Sequence, residues 1–134
     1  MQNRYKIYPE LHFGVSKLSH GHKTIEELLN LAEQFRKEKD FPQVQFQLTD
    51  LRGCTFDISS DRIREMKSLI DKYKEIDNQK LGVYLVDKPN ETAFVVLLIR
   101  YMNYKRELCS TLEKAYDLLS LPVSFAEFKR LIKI

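Results

Sequence analysis

The chain has 134 residues, 22 of them basic and 19 acidic, for a net charge of +3. Hydrophobic residues make up 43% and charged residues 31%, enough for one apolar core under a charged coat and too little chain for two. The charges are interspersed, and the densest basic cluster, Arg36-Lys37-Glu38-Lys39-Asp40, is broken by acids; this suits the solvated end of a helix and argues against a nucleic-acid stripe.

Two further classes are set aside on the same grounds. The longest apolar run covers residues 93–99 and is ended by Arg100, whereas a helix that spans a bilayer needs about 20 apolar residues. No apolar run follows the charges in residues 1–6, so no export signal is expected. Cys54 and Cys109 are then expected to be free thiols in a cytoplasmic protein.

In chain order, Tyr5-Lys6-Ile7-Tyr8 reads as a first strand and Pro9-Glu10 as a break. Residues 11–18 place Leu11, Phe13 and Val15 on one face at a period of two, a second strand. Residues 19–23 form a loop. Thr24-Ile25-Glu26-Glu27 is a capping box, opening a helix with Ile25, Leu28, Leu29, Ala32 and Phe35 on its apolar side and an end near Lys39. After Phe41-Pro42, Val44, Phe46 and Leu48 alternate with Gln45, Gln47 and Thr49, giving a third strand that runs to Asp50 or Leu51. Gly53 marks a turn, and Ser59-Ser60-Asp61 offers caps and a first-turn acid for a second helix. Its apolar face is Ile63, Met66, Ile70, Tyr73 and Ile76.

Residues 81–86 are almost continuously apolar, as in a parallel strand covered on both faces. Asn90 caps a third helix that reaches about Lys105 and is apolar on nearly every side. Leu108-Cys109 is a short fifth strand. Ser110-Thr111-Leu112-Glu113 is a second capping box, before a helix with Ala115, Leu118 and Leu119. Pro122 ends it, and Ser124 starts a last helix bearing Phe125, Phe128, Leu131 and Ile132. The order ββαβαβαβα plus a C-terminal helix predicts a four- to five-stranded, mainly parallel α/β sheet with right-handed crossovers. All of it falls in one domain, residues 1–134.

The stretch Asp50-Leu51-Arg52-Gly53, followed by Ser59-Ser60, resembles the signature of the anti-sigma-factor antagonists in the STAS family. There a strand ends in Asp-Leu-Ser-Gly, and Asp-Ser-Ser-Gly opens the next helix. Pro89-Asn90-Glu91-Thr92-Ala93 and Ser110-Thr111-Leu112-Glu113-Lys114-Ala115 are similar to features of the broader SpoIIAA-like group. The resemblance implies a STAS-like fold over nearly the whole chain and a regulatory, protein-binding role, with a serine of the pair as phosphoacceptor. Ile58 stands where the antagonists carry Asp, and Asp61 where they carry Gly; an acid there disfavours a second negative charge.

The expected sites follow. Ser59 and Ser60 are phosphoacceptor or partner-binding residues, against a plain role as helix caps. Asp50, Arg52 and Thr55 form a partner or ligand loop at a strand's carboxyl end, against an ion pair that only holds the turn. Val95, Ile99 and Met102 form an apolar surface, expected to lie beneath the last helix through Phe125, Phe128 and Leu131. His20 and His22 supply two nitrogens where a metal site needs three or four ligands, so no metal is expected, and no cofactor. Without a nucleophile, base and orienter in sequence, no catalytic residue is assigned. The expected function is a non-catalytic STAS-like regulatory or protein-interaction module, with a protein partner and homodimerisation. Its alternatives are a carrier holding a hydrophobic small molecule in a CRAL-TRIO-like pocket, and an enzyme built on Asp50, Arg52 and His20.

Overall fold

The computed structural model describes residues 3–56, 60–77, 80–88, 92–93, 95–96, 99–100 and 105–134. Its elements are β1 (Arg4–Tyr8), β2 (Phe13–Lys17), β3 (Gly21–Lys23), α1 (Ile25–Arg36), β4 (Phe46–Asp50), β5 (Cys54–Phe56), α2 (Ser60–Asp77), β6 (Leu81–Leu85), β7 (Arg106–Cys109), α3 (Leu112–Leu119) and α4 (Phe125–Leu131). Between β6 and β7, Thr92, Ala93, Val95, Val96, Ile99 and Arg100 are helical. Among the described residues one sheet has the order β1-β2-β4-β6-β7, and β3 and β5 form a separate pair.

β1 runs antiparallel to β2, and every other neighbour in the large sheet is parallel. The chain is therefore an α/β protein with a mostly parallel sheet. The expected adjacency of the third strand and the run 81–86 is observed, with Phe46 opposite Leu81 and Asp50 opposite Leu85. Two strands start later than their alternation suggests. Pro9–Leu11 closes a 3-10 turn, with the His12 amide donating to the Pro9 carbonyl at 3.1 Å, so β2 begins at Phe13. The Val44 amide likewise donates to the Phe41 carbonyl at 2.9 Å, which delays β4 to Phe46. Residues 21–23 and 54–56 read as loop and turn yet pair as parallel strands.

β2, β4, β6 and β7 are laid down side by side in chain order, so the successive crossovers travel in one direction and share one face. Ile25, Leu28 and Leu31 of α1, Met66 and Ile70 of α2, and Val95 belong to a single buried cluster on that face. Strand alternation sends Phe13, Val15, Leu48, Val83, Leu85 and Cys109 to the opposite face. There they pack with Ala115 and Leu119 of α3, Leu121, Phe128 of α4 and Ile132.

This division corrects the expectation for the third helix. Val95 is fully buried in the first cluster, and Ile99, which stays partly exposed, packs against it, so Val95 presents no apolar surface to solvent. Phe128 lies across the sheet from both, against the Phe13 and Tyr116 rings at centroid distances of 6.3 and 5.5 Å. The last helix covers the other face. Ser59, Asn90 and Met102 lie outside the described residues; Ser60 is the first residue of α2.

Candidate functional site

The carboxyl ends of β2, β4 and β6 meet in an open crevice of about 320 Å³, lined by Lys17, His20, Asp50, Arg52, Gly53 and Asp87. Open α/β sheets place ligands at such strand ends. The sequence-derived trio Asp50, Arg52 and His20 is brought together here. Asp50 is almost fully buried, and its carboxylate accepts from three donors of Arg52: the amide at 3.1 Å, Nε at 3.0 Å and Nη2 at 2.8 Å. That fork, with Asp50 as acceptor, holds the guanidinium charged and raises its pKa. Gly53 follows with φ +75°, and its amide donates to both carboxylate oxygens of Asp87 at 3.1 and 3.2 Å. A Cβ at position 53 would stand 2.7 Å from the His20 ring, so the turn admits only glycine in both conformation and space.

The crevice is charged. Both carboxylates are engaged in holding the turn. Thr55 sits on β5, where its hydroxyl meets His22 Nδ1 at 3.3 Å, so His22 points at Thr55 while His20 packs by Gly53. Among the described residues no three of His, Cys, Asp or Glu converge as metal ligands. The nearby thiols are both buried, and burial pushes Cys54 and Cys109 up to about 11. Neither is a nucleophile near neutral pH. Iodoacetamide at pH 8 is expected to label neither cysteine in the native protein and both in urea; rapid native labelling would contradict this. In the unfolded chain these thiols ionise near their ordinary value of 9.0. Their contribution to stability is therefore intact below about pH 9 and is lost as pH rises toward 11.

A second space was not foreseen from the sequence. It lies between the sheet and the helices α1 and α2, with a volume of about 80 Å³. Its roof is apolar, from Leu28, Leu31, Ala32, Met66 and Ile70. Its floor is the helix-covered face of four parallel strands: Ser16, Gln47, Thr49, Gly82, Tyr84 and Arg106. A sheet face under two helices is ordinarily apolar. Here each of three strands offers small or polar residues at alternate positions, and that pattern is the signal the sequence does carry. No hydrogen bond from a described residue reaches the side chains of Ser16, Gln47 or Thr49.

No family model, curated protein or solved structure matches the chain. No helix among the described residues is long and apolar enough to cross a membrane.

Proposed function

We propose that the chain is a non-catalytic, STAS-like binding module that holds a small amphipathic molecule between its sheet and the helices α1 and α2. The observation that carries this reading is the polar floor beneath an apolar roof. Ligand sites are mostly apolar pockets with a few convergent polar groups, and amide and hydroxyl groups with no hydrogen-bond partner among the described residues suit a ligand or water. Volume sets the scale: an apolar cavity of about 150 Å³ admits benzene, so about 80 Å³ encloses roughly three or four carbon atoms. The buried, high-pKa thiols and the fully engaged Asp50–Arg52 pair favour binding over catalysis. A cytoplasmic location agrees with two free cysteines.

A partner-binding role at the strand ends is the second reading. It is favoured by Arg52, on the turn that resembles the antagonist signature, and by Thr55, on β5 just after it, both part-exposed. Protein partners and a homodimer belong to that reading.

Filling the cavity separates the two. Ala32→Leu is expected to stabilise the protein by about 0.5–2 kcal/mol, as cavity-filling changes commonly do, measured by urea unfolding. The same variant should abolish the chemical-shift changes that 1-butanol induces in the methyl groups of Leu28, Met66 and Ile70. Unaltered shifts in the variant, or none in the parent protein, would remove the cavity as the binding site.

A further inference from the structure

A central strand beneath two helices ordinarily carries aliphatic side chains. On the cavity face β4 carries Gln47 and Thr49 instead, and Ser16 of β2 stands beside Thr49 in register. Ser16 is only 5% exposed. No hydrogen bond from a described residue reaches any of these three side chains, although buried hydroxyl and amide groups normally have a partner.

Gln47 sits between two glycines. Its register partners are Gly14 on β2 and Gly82 on β6, so no neighbouring Cβ crowds the carboxamide at its own level of the sheet. Other side chains take the room over both glycines: a Cβ on Gly14 would stand 2.4 Å from Phe35 Cζ, and one on Gly82 2.4 Å from Arg106 Cδ. A ring edge and a methylene stem thus flank the carboxamide, and neither offers it a donor or an acceptor. Arg36 and Arg106 also line the cavity. Arg106 donates to the carbonyls of Lys80 and Lys105 at 2.7 and 2.8 Å, and Arg36 lies 4.3 Å from the Tyr73 ring centre. Both hold contacts of their own, and no donor is asked of either; their positive charge disfavours an amine in the space.

We propose that the ligand carries a neutral carboxamide head on a short apolar body. The head lies on Gln47, and the body lies under Leu28, Met66 and Ile70. This rests on the cavity reading above and adds the chemistry of the ligand. Whichever way round it is set, the Gln47 carboxamide presents a carbonyl acceptor beside an N–H donor in one plane. A ligand carboxamide offers the same two groups reversed, so the pair closes with two hydrogen bonds. The hydroxyls of Ser16 and Thr49 can each donate or accept, and they meet the ligand's remaining N–H and lone pair. An ester accepts but cannot donate. A carboxylate has no donor at neutral pH, sets its charge against the Gln47 oxygen, and costs far more than an amide to bring beneath an apolar roof.

The test titrates the full chain with propanamide, methyl acetate, propanoate and 1-butanol, all of similar size, and follows the methyl resonances of Leu28, Met66 and Ile70. Propanamide is expected to bind about tenfold more tightly than methyl acetate, the worth of one further hydrogen bond, and more tightly than propanoate. Gln47→Met keeps the length of the side chain and removes both hydrogen-bonding groups. It should bring the amide-to-ester ratio close to one while 1-butanol still enters the cavity. If Gln47→Met does not fold, Ser16→Ala and Thr49→Val decide, and each should lower the ratio. An unchanged ratio in the folded variants overturns the assignment of the head group to this floor. Propanoate binding more tightly than propanamide, or propanamide no more tightly than methyl acetate, overturns the carboxamide while leaving the cavity reading intact. Binding of none of the four overturns both.

Discussion

Truncation that removes residues 123–134 is expected to unfold the protein at 25 °C. Phe128, Leu131 and Ile132 are all buried, and each forfeits about 1.5–3 kcal/mol on exposure. The sum, about 5–9 kcal/mol, rivals the whole stability of a typical domain, about 5–15 kcal/mol. The cut also removes two anchors: the Tyr8 hydroxyl donates to the Leu131 carbonyl at 2.6 Å and the Tyr116 hydroxyl to the Val123 carbonyl at 2.7 Å. Phe128→Ala alone should cost about 3–5 kcal/mol, the range for a buried aromatic. Far-UV circular dichroism and urea unfolding read both effects. A truncated chain with the parent's urea midpoint would show that the second face needs no cover from α4.

The second large effect is expected at the strand-end turn, and it should be lopsided. Asp50 has a side-chain exposure of 1% and Arg52 of 34%. Arg52→Met strands a buried carboxylate with one backbone donor left, and breaking a buried pair in this way costs about 3–5 kcal/mol. Asp50→Asn leaves a cation that water can reach and an amide that still accepts, so its cost should fall to about 1–3 kcal/mol. Unfolding of both single variants and the double variant gives the coupling between them. Equal losses in the two single variants would show that the pair is governed by the turn's backbone and not by the buried charge.

The contrast between what the sequence disclosed and what it hid has a physical basis. Local signals are legible in the chain. Thr24, in its capping box, and Ser124, at the start of the last helix, accept from the amides of Glu27 and Glu127 at 3.2 and 3.1 Å, because a cap depends on residues three apart. The second capping box is displaced by one residue: Thr111, in place of Ser110, takes the extended cap conformation and accepts from the Lys114 amide. Asp50, Arg52 and His20 were legible as a strand-end cluster because they flank one turn and one strand terminus. Helical periodicity shows which side of a helix is apolar, but it is silent on which face of the sheet receives that side. Periodicity alone therefore places Val95 beneath α4, whereas the two lie on opposite faces of the sheet. The pairing of Gly21–Lys23 with Cys54–Phe56 depends on partners some 30 residues apart and leaves no trace in segments of three residues. The cavity is a gap between layers, and only the polar alternation of its floor is written in the chain.

Strand order in the large sheet follows the order of synthesis from β2 onward, so each crossover can add its strand to an edge that already exists. A nascent chain can therefore build the α1 and α2 side of the sheet progressively, as N-terminal portions of a polypeptide do during translation. Phe13, Val15, Leu48 and Val83 must wait, because their cover, from Ala115 to Ile132, is translated after them. During that interval the growing chain carries an apolar sheet face open to water. That face, rather than any helix, is the surface a ribosome-associated chaperone would meet, and chains stalled between β6 and α3 are the ones most exposed to aggregation.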